Sequence, residues 1–236
     1  GRATYLTDLM DKVYLDDIVE RNGLHGSTAI GSVVDVLASS VGSLTNPTRL
    51  ANTFASNGVR GIDDKTVRTY IDCLEDAFLV EEVGRYDVKG RKHIGSPKKY
   101  YFEDLGLRNA RLNFRQQEET HLMENALYNE MRFRGYGVDV GVVNHVERDE
   151  AGRRRSKQLE IDFVCNRGSQ RYYVQSAFAI PNAEKMEQEQ RSLTDTGDSF
   201  RKVIVERNRV KPWHNDRGVL VVGLTDFLTD PGLIDQ

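Results

Sequence analysis

One acidic residue, Glu124, lies where the sequence predicts the buried face of a helix. Residues 118–135 are predicted to be helical, and Leu127, Tyr128 and Met131 follow Glu124 at intervals of three, four and seven residues. Residues at these intervals share one helical face, so Glu124 lies on the apolar stripe. A carboxylate buried there needs a partner, because burying an unpaired charge is costly. A divalent cation is one such partner.

A second carboxylate, Asp162, lies in the strand predicted next along the chain. In residues 159–165 the odd-numbered positions are mostly apolar and point to one face, whereas Asp162 points to the other. The following predicted strand, residues 171–177, places Gln175 and Ala177 on one face. These residues are therefore predicted to lie on adjacent strands of one sheet.

This order of elements resembles the core of the PD-(D/E)xK nuclease superfamily, in which a helix carries a Glu, one strand ends in an Asp and the next carries Glu-x-Lys. Glu124 matches the helix Glu and Asp162 the strand Asp, but Gln175 and Ala177 stand where Glu and Lys are needed. A neutral Gln is a poorer metal ligand, and Ala cannot activate a water. The resemblance implies a scaffold that has lost its chemistry, with Glu124, Asp162 and Gln175 as vestigial site residues and no catalytic residue or metal site expected.

Composition predicts an ordinary soluble protein of one or two domains. The chain has 236 residues, of which 39% are hydrophobic and 29% charged, and its net charge of −3 gives no overall attraction to nucleic acid. Cys73 and Cys165 each lie in an apolar pattern, which favours two buried thiols in a reducing cytoplasm. No apolar run is long enough to cross a membrane. Because the chain begins at Gly1 without Met, we expect a piece of a longer protein or the remnant of a tag.

The first half reads as three helices followed by a β-hairpin. Apolar residues at helical spacing predict a first helix with the buried stripe Ile30, Val33, Val34, Leu37, Ala38 and Val41. Asn46 and Pro47 predict the start of a second helix at 48–56. Asp63 or Asp64 is predicted to cap a third helix with the buried stripe Val67, Ile71, Leu74 and Phe78, and a hairpin that turns at Lys89 and Gly90 follows it. This order resembles a winged helix, and the resemblance makes the third helix the recognition helix, with Lys65 and Arg68 available to nucleic acid.

The predicted hairpin is the densest basic stretch of the first half, since Asp87 is its single acid. Its nucleic-acid-binding candidates are Arg85, Lys89, Arg91 and Lys92. Such cations contact phosphates with an affinity that falls as salt rises. Basic residues also keep an exposed edge strand from pairing with other chains. The sequence leaves both interpretations open.

The predicted fold class is α/β, or α+β overall: a winged helix-turn-helix followed by a restriction-endonuclease-like domain with a mixed central sheet. Residues 1–29 are predicted to be a helical lead-in, 30–106 the winged helix and 107–236 the nuclease-like domain. Residues 103–117 are predicted to join them by a short turn. Strands at 138–143, 202–206 and 219–223 and a helix at 183–193 complete the second half.

Several segments together resemble the C-terminal half of a widespread group of prokaryotic AAA-type P-loop ATPases. The segments that carry this resemblance are 13–19, 74–80, 85–91, 98–106, 124–130, 160–164 and 173–177. It implies a cytoplasmic protein whose ATP and Mg²⁺ belong to an N-terminal ATPase domain outside this chain. The nearest match to a phosphate-binding loop, residues 58–66, lacks a Gly directly before Lys65, so this chain is not expected to hydrolyse ATP.

Three functions remain open at this point. The first is a non-catalytic module that binds duplex DNA or a protein partner for the ATPase domain. The second is a divalent-metal nuclease using Glu124, Asp162 and perhaps Glu160, with Lys157 in place of the missing lysine. The third is a structural or oligomerisation module in which Glu124 and Asp162 pair with Arg or backbone donors.

Overall fold

The computed structural model describes residues 1–24, 27–59, 61–115, 118–148 and 152–235. Contacts divide the chain into two compact units. The first comprises Gly1–Val83 and Ser96–Asn125, and the second comprises Gly84–Gly95 and Ala126–Gln236. Among the described residues, no helix is long and apolar enough to cross a membrane.

The first unit is mainly helical. Its helices are α1 (Arg2–Asp8), a π-helical stretch (Leu9–Leu15), α2 (Asp16–Arg21), α3 (Ser27–Ser39), α4 (Pro47–Ser56), α5 (Asp64–Asp76), α6 (Leu105–Arg111) and the start of α7 (Glu119–Phe133). The β1–β2 hairpin, β1 (Val80–Asp87) and β2 (Lys92–Phe102), begins and ends in this unit, while its tip belongs to the second.

Local sequence signals explain where α4 and α5 begin. Asn46 caps α4 by accepting the Arg49 N–H at 2.8 Å, with Pro47 at the first helical position. Asp63 caps α5 in the same way by accepting the Thr66 N–H at 2.8 Å. The cap at Asn46 was predicted, and the structure selects Asp63 from the two residues that the sequence offered, Asp63 and Asp64.

The buried faces of α3 and α5 form the core of this unit. The predicted apolar stripe of α3 is confirmed, since its members are at most 1% exposed: Ile30, Val33, Val34, Leu37, Ala38 and Val41. On α5, Val67, Ile71 and Leu74 are buried as predicted, but the prediction that Phe78 is buried is wrong. The helix ends at Asp76, and Phe78 follows in a left-handed turn with φ of 54° that leaves its side chain 78% exposed.

The second unit contains a mixed α/β layer, which confirms the α/β class. Its elements are the rest of α7, β3 (Gly137–Arg148), β4 (Arg154–Arg167), β5 (Gln170–Ala177), α8 (Ala183–Thr194), β6 (Arg201–Glu206), β7 (Trp213–His214), β8 (Leu220–Gly223) and α9 (Leu224–Thr229). Among the described residues the strands form an eight-stranded sheet in the order β2-β1-β3-β4-β5-β6-β8-β7. The pairs β1–β3, β5–β6 and β6–β8 are parallel. The pairs β3–β4, β4–β5 and β7–β8 are antiparallel. Helix α8 packs on β4, β5 and β6.

The two units differ in extent from the predicted domains. Contacts group the described residues before Ile30 with the rest of the first unit, where Arg111 of α6 binds both Asp11 and Asp35. The predicted turn at 103–117 contains α6, which also belongs to the first unit. The hairpin tip joins the second unit because Arg85–Asp87 pair in parallel with Val140–Val142.

A bulge interrupts the alternation of β4. Asp139 pairs with Val164 and Gly141 with Ile161, so Asp162 and Phe163 both oppose the single residue Val140. A β-bulge inserts an extra residue and re-aims the side chains beside it. Ile161 and Val164, which strict alternation would place on opposite faces, accordingly share one core cluster. The predicted strict alternation therefore fails between Ile161 and Val164.

Candidate functional site

The structure brings Asp162 and Gln175 together, as predicted, but each side chain binds backbone. Oδ2 of Asp162 accepts the N–H of Ser176 at 2.7 Å, and Oε1 of Gln175 accepts the N–H of Asp162 at 3.3 Å. The regular β4–β5 register ends at Phe163 and Val174, beside the bulge. The two side chains thus satisfy backbone donors where the ladder stops, which is what a buried polar group requires.

Ala177 contributes only a methyl group to this region. Its side chain belongs to the core cluster under α8 and is 1% exposed. A lysine at this position would have to place an ammonium group among Val164, Leu193 and Ile204, which desolvation disfavours.

Glu124 belongs to the first unit, where a cation of the protein itself holds it. Nζ of Lys99 donates to Oε1 of Glu124 at 2.9 Å, and the hydroxyl of Tyr101 donates to the same oxygen. The side chains of Lys99 and Glu124 are 4% and 13% exposed. Gly42 leaves the room for this carboxylate, because a Cβ there would lie 3.1 Å from Oε1 of Glu124. In the described part of the chain, no three His, Cys, Asp or Glu residues cluster as a metal site.

The two candidates on α5 have different environments. Lys65 is exposed to solvent. Arg68 binds Asp72 at 2.6 Å, Glu75 at 2.9 Å and also Glu82. Burial alone would lower the pKa of Arg68, but its bonds to Asp72 and Glu82 raise that pKa above its usual value. The guanidinium is committed to carboxylates of its own unit.

Glu82 is the centre of the cluster that holds Arg68. Its carboxylate accepts hydrogen bonds from Lys98 and Arg68 and from the Tyr100 hydroxyl at 2.7 Å. Burial would raise the pKa of Glu82, but these three donors outweigh burial and lower it. The cluster fixes α5 against the base of the hairpin within the first unit.

The hairpin candidates lie in the second unit and differ in their contacts. Arg85 reaches Oε1 of Gln158 at 3.4 Å. Lys89 donates to the Asn144 carbonyl at 3.1 Å and pairs with Asp195 at 3.3 Å. Arg91 and Lys92 are exposed at the turn and the start of β2.

Two of these residues, Lys89 and Arg91, line a cavity of about 530 Å³ that we call the hairpin pocket. Its other lining residues come from β1 and the residue after it, the β4–β5 hairpin and the α8–β6 connection: Tyr86, Val88, Asn166, Gly168, Ser169, Gln170, Arg171, Thr196, Gly197, Asp198 and Phe200. The sequence predicted neither Arg171 nor Phe200 as a site residue. The local signal for Arg171 was its place directly after a hairpin turn, at Gly168 and Ser169, and before the buried Tyr172.

Arg171 of the hairpin pocket contacts two aromatic rings and an amide side chain. Its guanidinium carbon lies 5.2 Å from the ring centroid of Tyr86 and 5.2 Å from that of Phe200. Its Nε donates to Oδ1 of Asn166 at 2.7 Å. Burial alone would lower the pKa of Arg171, but polar interaction with the hydroxyls of Tyr173 and Tyr86 raises it. Cation–π contact of this kind stabilises a fixed guanidinium orientation.

These elements define a mixed α/β protein. Residues 1–118 match the family described as a domain of unknown function (DUF8612), and the chain belongs to that family. An uncharacterized protein of Haemophilus influenzae is 31% identical over 227 residues, which cover 96% of this chain and 52% of that protein. The chain thus spans about half the length of this relative. Protein VC1899 from Vibrio cholerae is structurally similar over 100% of this chain and 56% of its own, with 12% identity and a TM-score of 0.34.

Proposed function

We propose that this chain is a non-catalytic, DNA- or partner-binding module of a prokaryotic AAA-type ATPase, with a winged helix and a degenerate PD-(D/E)xK nuclease-like domain. The observation that supports this proposal most directly is a hydrogen bond of Asp162, whose Oδ2 accepts the Ser176 N–H at 2.7 Å. A metal-dependent nuclease needs such a carboxylate free for its cation. Here Asp162 and Gln175 complete the hydrogen bonding of the sheet instead.

The environment of Glu124 supports the same proposal. The Lys99 ammonium already supplies the positive charge that a cation would bring to this carboxylate. A divalent ion at Glu124 would have to displace a buried Lys99, and separating a buried ion pair is costly.

The binding part of the proposal is supported by the exposed cations. Helices α3, α4 and α5 precede the β1–β2 hairpin in the order of a winged helix. Lys65 is exposed on α5, and Arg91 and Lys92 are exposed on the hairpin, so all three are available to phosphates. Arg68 is not expected to contribute, because carboxylates of the chain itself surround it.

In this proposal ATP and Mg²⁺ belong to an ATPase domain of the longer protein, and the location is the cytoplasm. The two thiols fit a reducing compartment, since Cys73 and Cys165 are both buried and unpaired.

The DNA-binding part is tested by fluorescence anisotropy with a labelled duplex over a range of salt concentrations. We expect affinity to fall linearly with salt on a logarithmic scale. Lys65→Ala should weaken binding, whereas Lys211→Ala, which removes an exposed lysine from another part of the chain, should not. No binding of duplex at low salt would refute the DNA half and leave a protein partner as the ligand.

A second candidate function, metal-dependent cleavage, is favoured by one observation. Lys157, Glu160 and Gln175 line a single groove of about 560 Å³ beside α8. This places a lysine in the same groove as the residue that replaces the nuclease Glu. Incubation with plasmid and Mg²⁺ or Mn²⁺ tests it: cleavage lost in both Asp162→Ala and Lys157→Ala would support this function, and cleavage unaffected by either would attribute the activity to a contaminant.

A further inference from the structure

The hairpin pocket is lined by three separate connections of the second unit, and two of them supply its positive charge. Lys89 and Arg91 come from the β1–β2 turn, and Arg171 follows the β4–β5 turn. The α8–β6 connection supplies Thr196 and Asp198. Residues so distant in sequence meet only because the strands that carry them belong to one sheet.

The negative charge of Asp198, the acidic residue of the pocket lining, is already offset by donors of the chain itself. Its carboxylate accepts the Tyr173 hydroxyl at 2.6 Å and the Phe200 N–H at 3.2 Å, and it lies 3.6 Å from Nζ of Lys202. Asp195, just outside the lining, is shared between Lys89 and His145. The pocket therefore offers an incoming ligand more positive than negative charge.

The contacts of Arg171 set the orientation of its guanidinium before a ligand binds. The rings of Tyr86 and Phe200 both contact its guanidinium, and Asn166 accepts from Nε. A guanidinium has a fixed fork of N–H donors that matches phosphate oxygens. With its orientation already set, little entropy is lost when such a ligand binds.

Arg91 occupies a backbone conformation that favours glycine. Its φ is 52°, in the left-handed region, in a turn that already contains Gly90. Non-glycine residues kept in this region carry strain and concentrate at functional sites. Arg91 is exposed and lines the pocket together with Gly168 and Ser169 of the turn that precedes Arg171.

We propose that the hairpin pocket binds a phosphate group carried next to a nucleobase, with Arg171, Arg91 and Lys89 around the phosphate and Phe200 against the base. Phe200 is 41% exposed, which leaves ring surface for stacking. The volume of about 530 Å³ fits one nucleotide and lies within the usual range for small-ligand sites. The ligand is a free nucleotide or one residue of an unpaired strand. This inference rests on the proposed nucleic-acid binding of the same hairpin, but names an unpaired nucleotide rather than a duplex.

The test measures binding of the whole chain to three probes in parallel. These probes are thymidine 5′-monophosphate by calorimetry, and a labelled ten-residue oligothymidylate and a labelled duplex by anisotropy. The variants are Arg171→Gln and Arg91→Gln, and the matched control is Arg209→Gln, an exposed arginine of the same unit outside the pocket. Arg91 is at the surface, so its variant keeps the test valid if Arg171→Gln fails to fold.

We expect Arg171→Gln and Arg91→Gln each to weaken oligothymidylate binding about 10-fold or more, as for loss of a charge-assisted hydrogen bond. Arg209→Gln should change it less than about 2-fold, as expected of a charge far from the bound phosphate. Binding of the monophosphate would show that a free nucleotide is a sufficient ligand. Binding of the oligothymidylate without binding of the monophosphate would show that the ligand is an unpaired strand. Duplex binding unaffected by both pocket variants, with no binding of either unpaired probe, would overturn this inference and leave the proposed function standing. Binding of the unpaired probes that is lost in the pocket variants, without duplex binding, would support this inference and refute the duplex-binding part of the proposed function.

Discussion

Nζ of Lys99 lies 2.9 Å from Oε1 of Glu124, and both side chains are largely withdrawn from solvent. A sequence pattern that pointed to a metal ligand is thus satisfied by an ion pair within the chain. Tyr101 adds a hydroxyl donor to the same oxygen. A buried carboxylate needs a counter-charge, and sequence spacing alone does not distinguish a bound cation from a lysine.

Removing this lysine should strongly destabilise the protein. Lys99→Met leaves the Glu124 carboxylate buried without its counter-charge, which we expect to lower the free energy of unfolding by about 3–5 kcal/mol. The measurement is urea unfolding followed by circular dichroism. As a control, Lys99→Met combined with Glu124→Met should recover part of the loss. A single variant as stable as the wild type would show that the pair contributes nothing.

Arg68 should act on stability and not on DNA affinity. Its guanidinium binds Asp72, Glu75 and Glu82, so Arg68→Met leaves three carboxylates close together. We expect the free energy of unfolding to fall by about 1–2 kcal/mol, because the pairs are half exposed and screened. Lys65→Ala is the matched variant and should change stability by less than about 0.5 kcal/mol. A large loss of duplex binding in a folded Arg68→Met protein would contradict this assignment.

Local signals predicted the elements better than they predicted the site. The caps at Asn46 and Asp63 and the core stripe of α3 follow from side chains a few residues apart, so the sequence contains them. The loss of strict alternation between Ile161 and Val164 depends on a bulge opposite Val140, about twenty residues away in sequence, for which no local signal exists. Arg171 has a local signal in the turn before it, but its aromatic partners Tyr86 and Phe200 reach it only through the folded chain.

Asp162 should behave as a structural hydrogen-bond acceptor. Asp162→Ala removes the acceptor of the Ser176 N–H, and leaving such a donor unsatisfied costs about 1–3 kcal/mol. Asp162→Asn keeps an oxygen at the same place and should cost less. Urea unfolding of the two variants gives the comparison. Equal losses would mean that the negative charge, rather than the hydrogen bond, is what the fold requires.

Stability should depend on the ionisation of Asp139. Burial raises the pKa of this carboxyl, and nearby His93 and Arg171 only partly oppose the effect. Because the folded-state pKa is the higher one, the contribution of Asp139 to stability is greatest below its unfolded value of about 4 and is lost as pH rises through the folded pKa. The stability of the wild type relative to Asp139→Asn should therefore fall from pH 4 upward. Unfolding midpoints of both proteins, measured between about pH 4 and 7, test this; parallel curves would contradict it.

At Arg91 of the hairpin turn, a substitution that raises stability should weaken binding. Arg91→Gly relieves a left-handed conformation, for which side chains cost about 1–2 kcal/mol, while the added flexibility of glycine takes back about 0.5–1 kcal/mol. We expect a net gain of about 0.5–1 kcal/mol in the free energy of unfolding, together with weaker oligothymidylate binding.

Gly90→Ala is a control in the same turn that should lower stability, whereas Arg91→Gly should raise it. Its Cβ would lie 2.4 Å from Oδ2 of Asp87, whose other oxygen accepts the Gly90 N–H at 2.8 Å. The side chain of Asp87 must then move and lose that bond, so stability should fall by about 1 kcal/mol. Thermal unfolding and anisotropy on both variants separate the two effects. A destabilised Arg91→Gly protein would show that the arginine side chain supports the turn, and that its conformation is not strain retained for ligand binding.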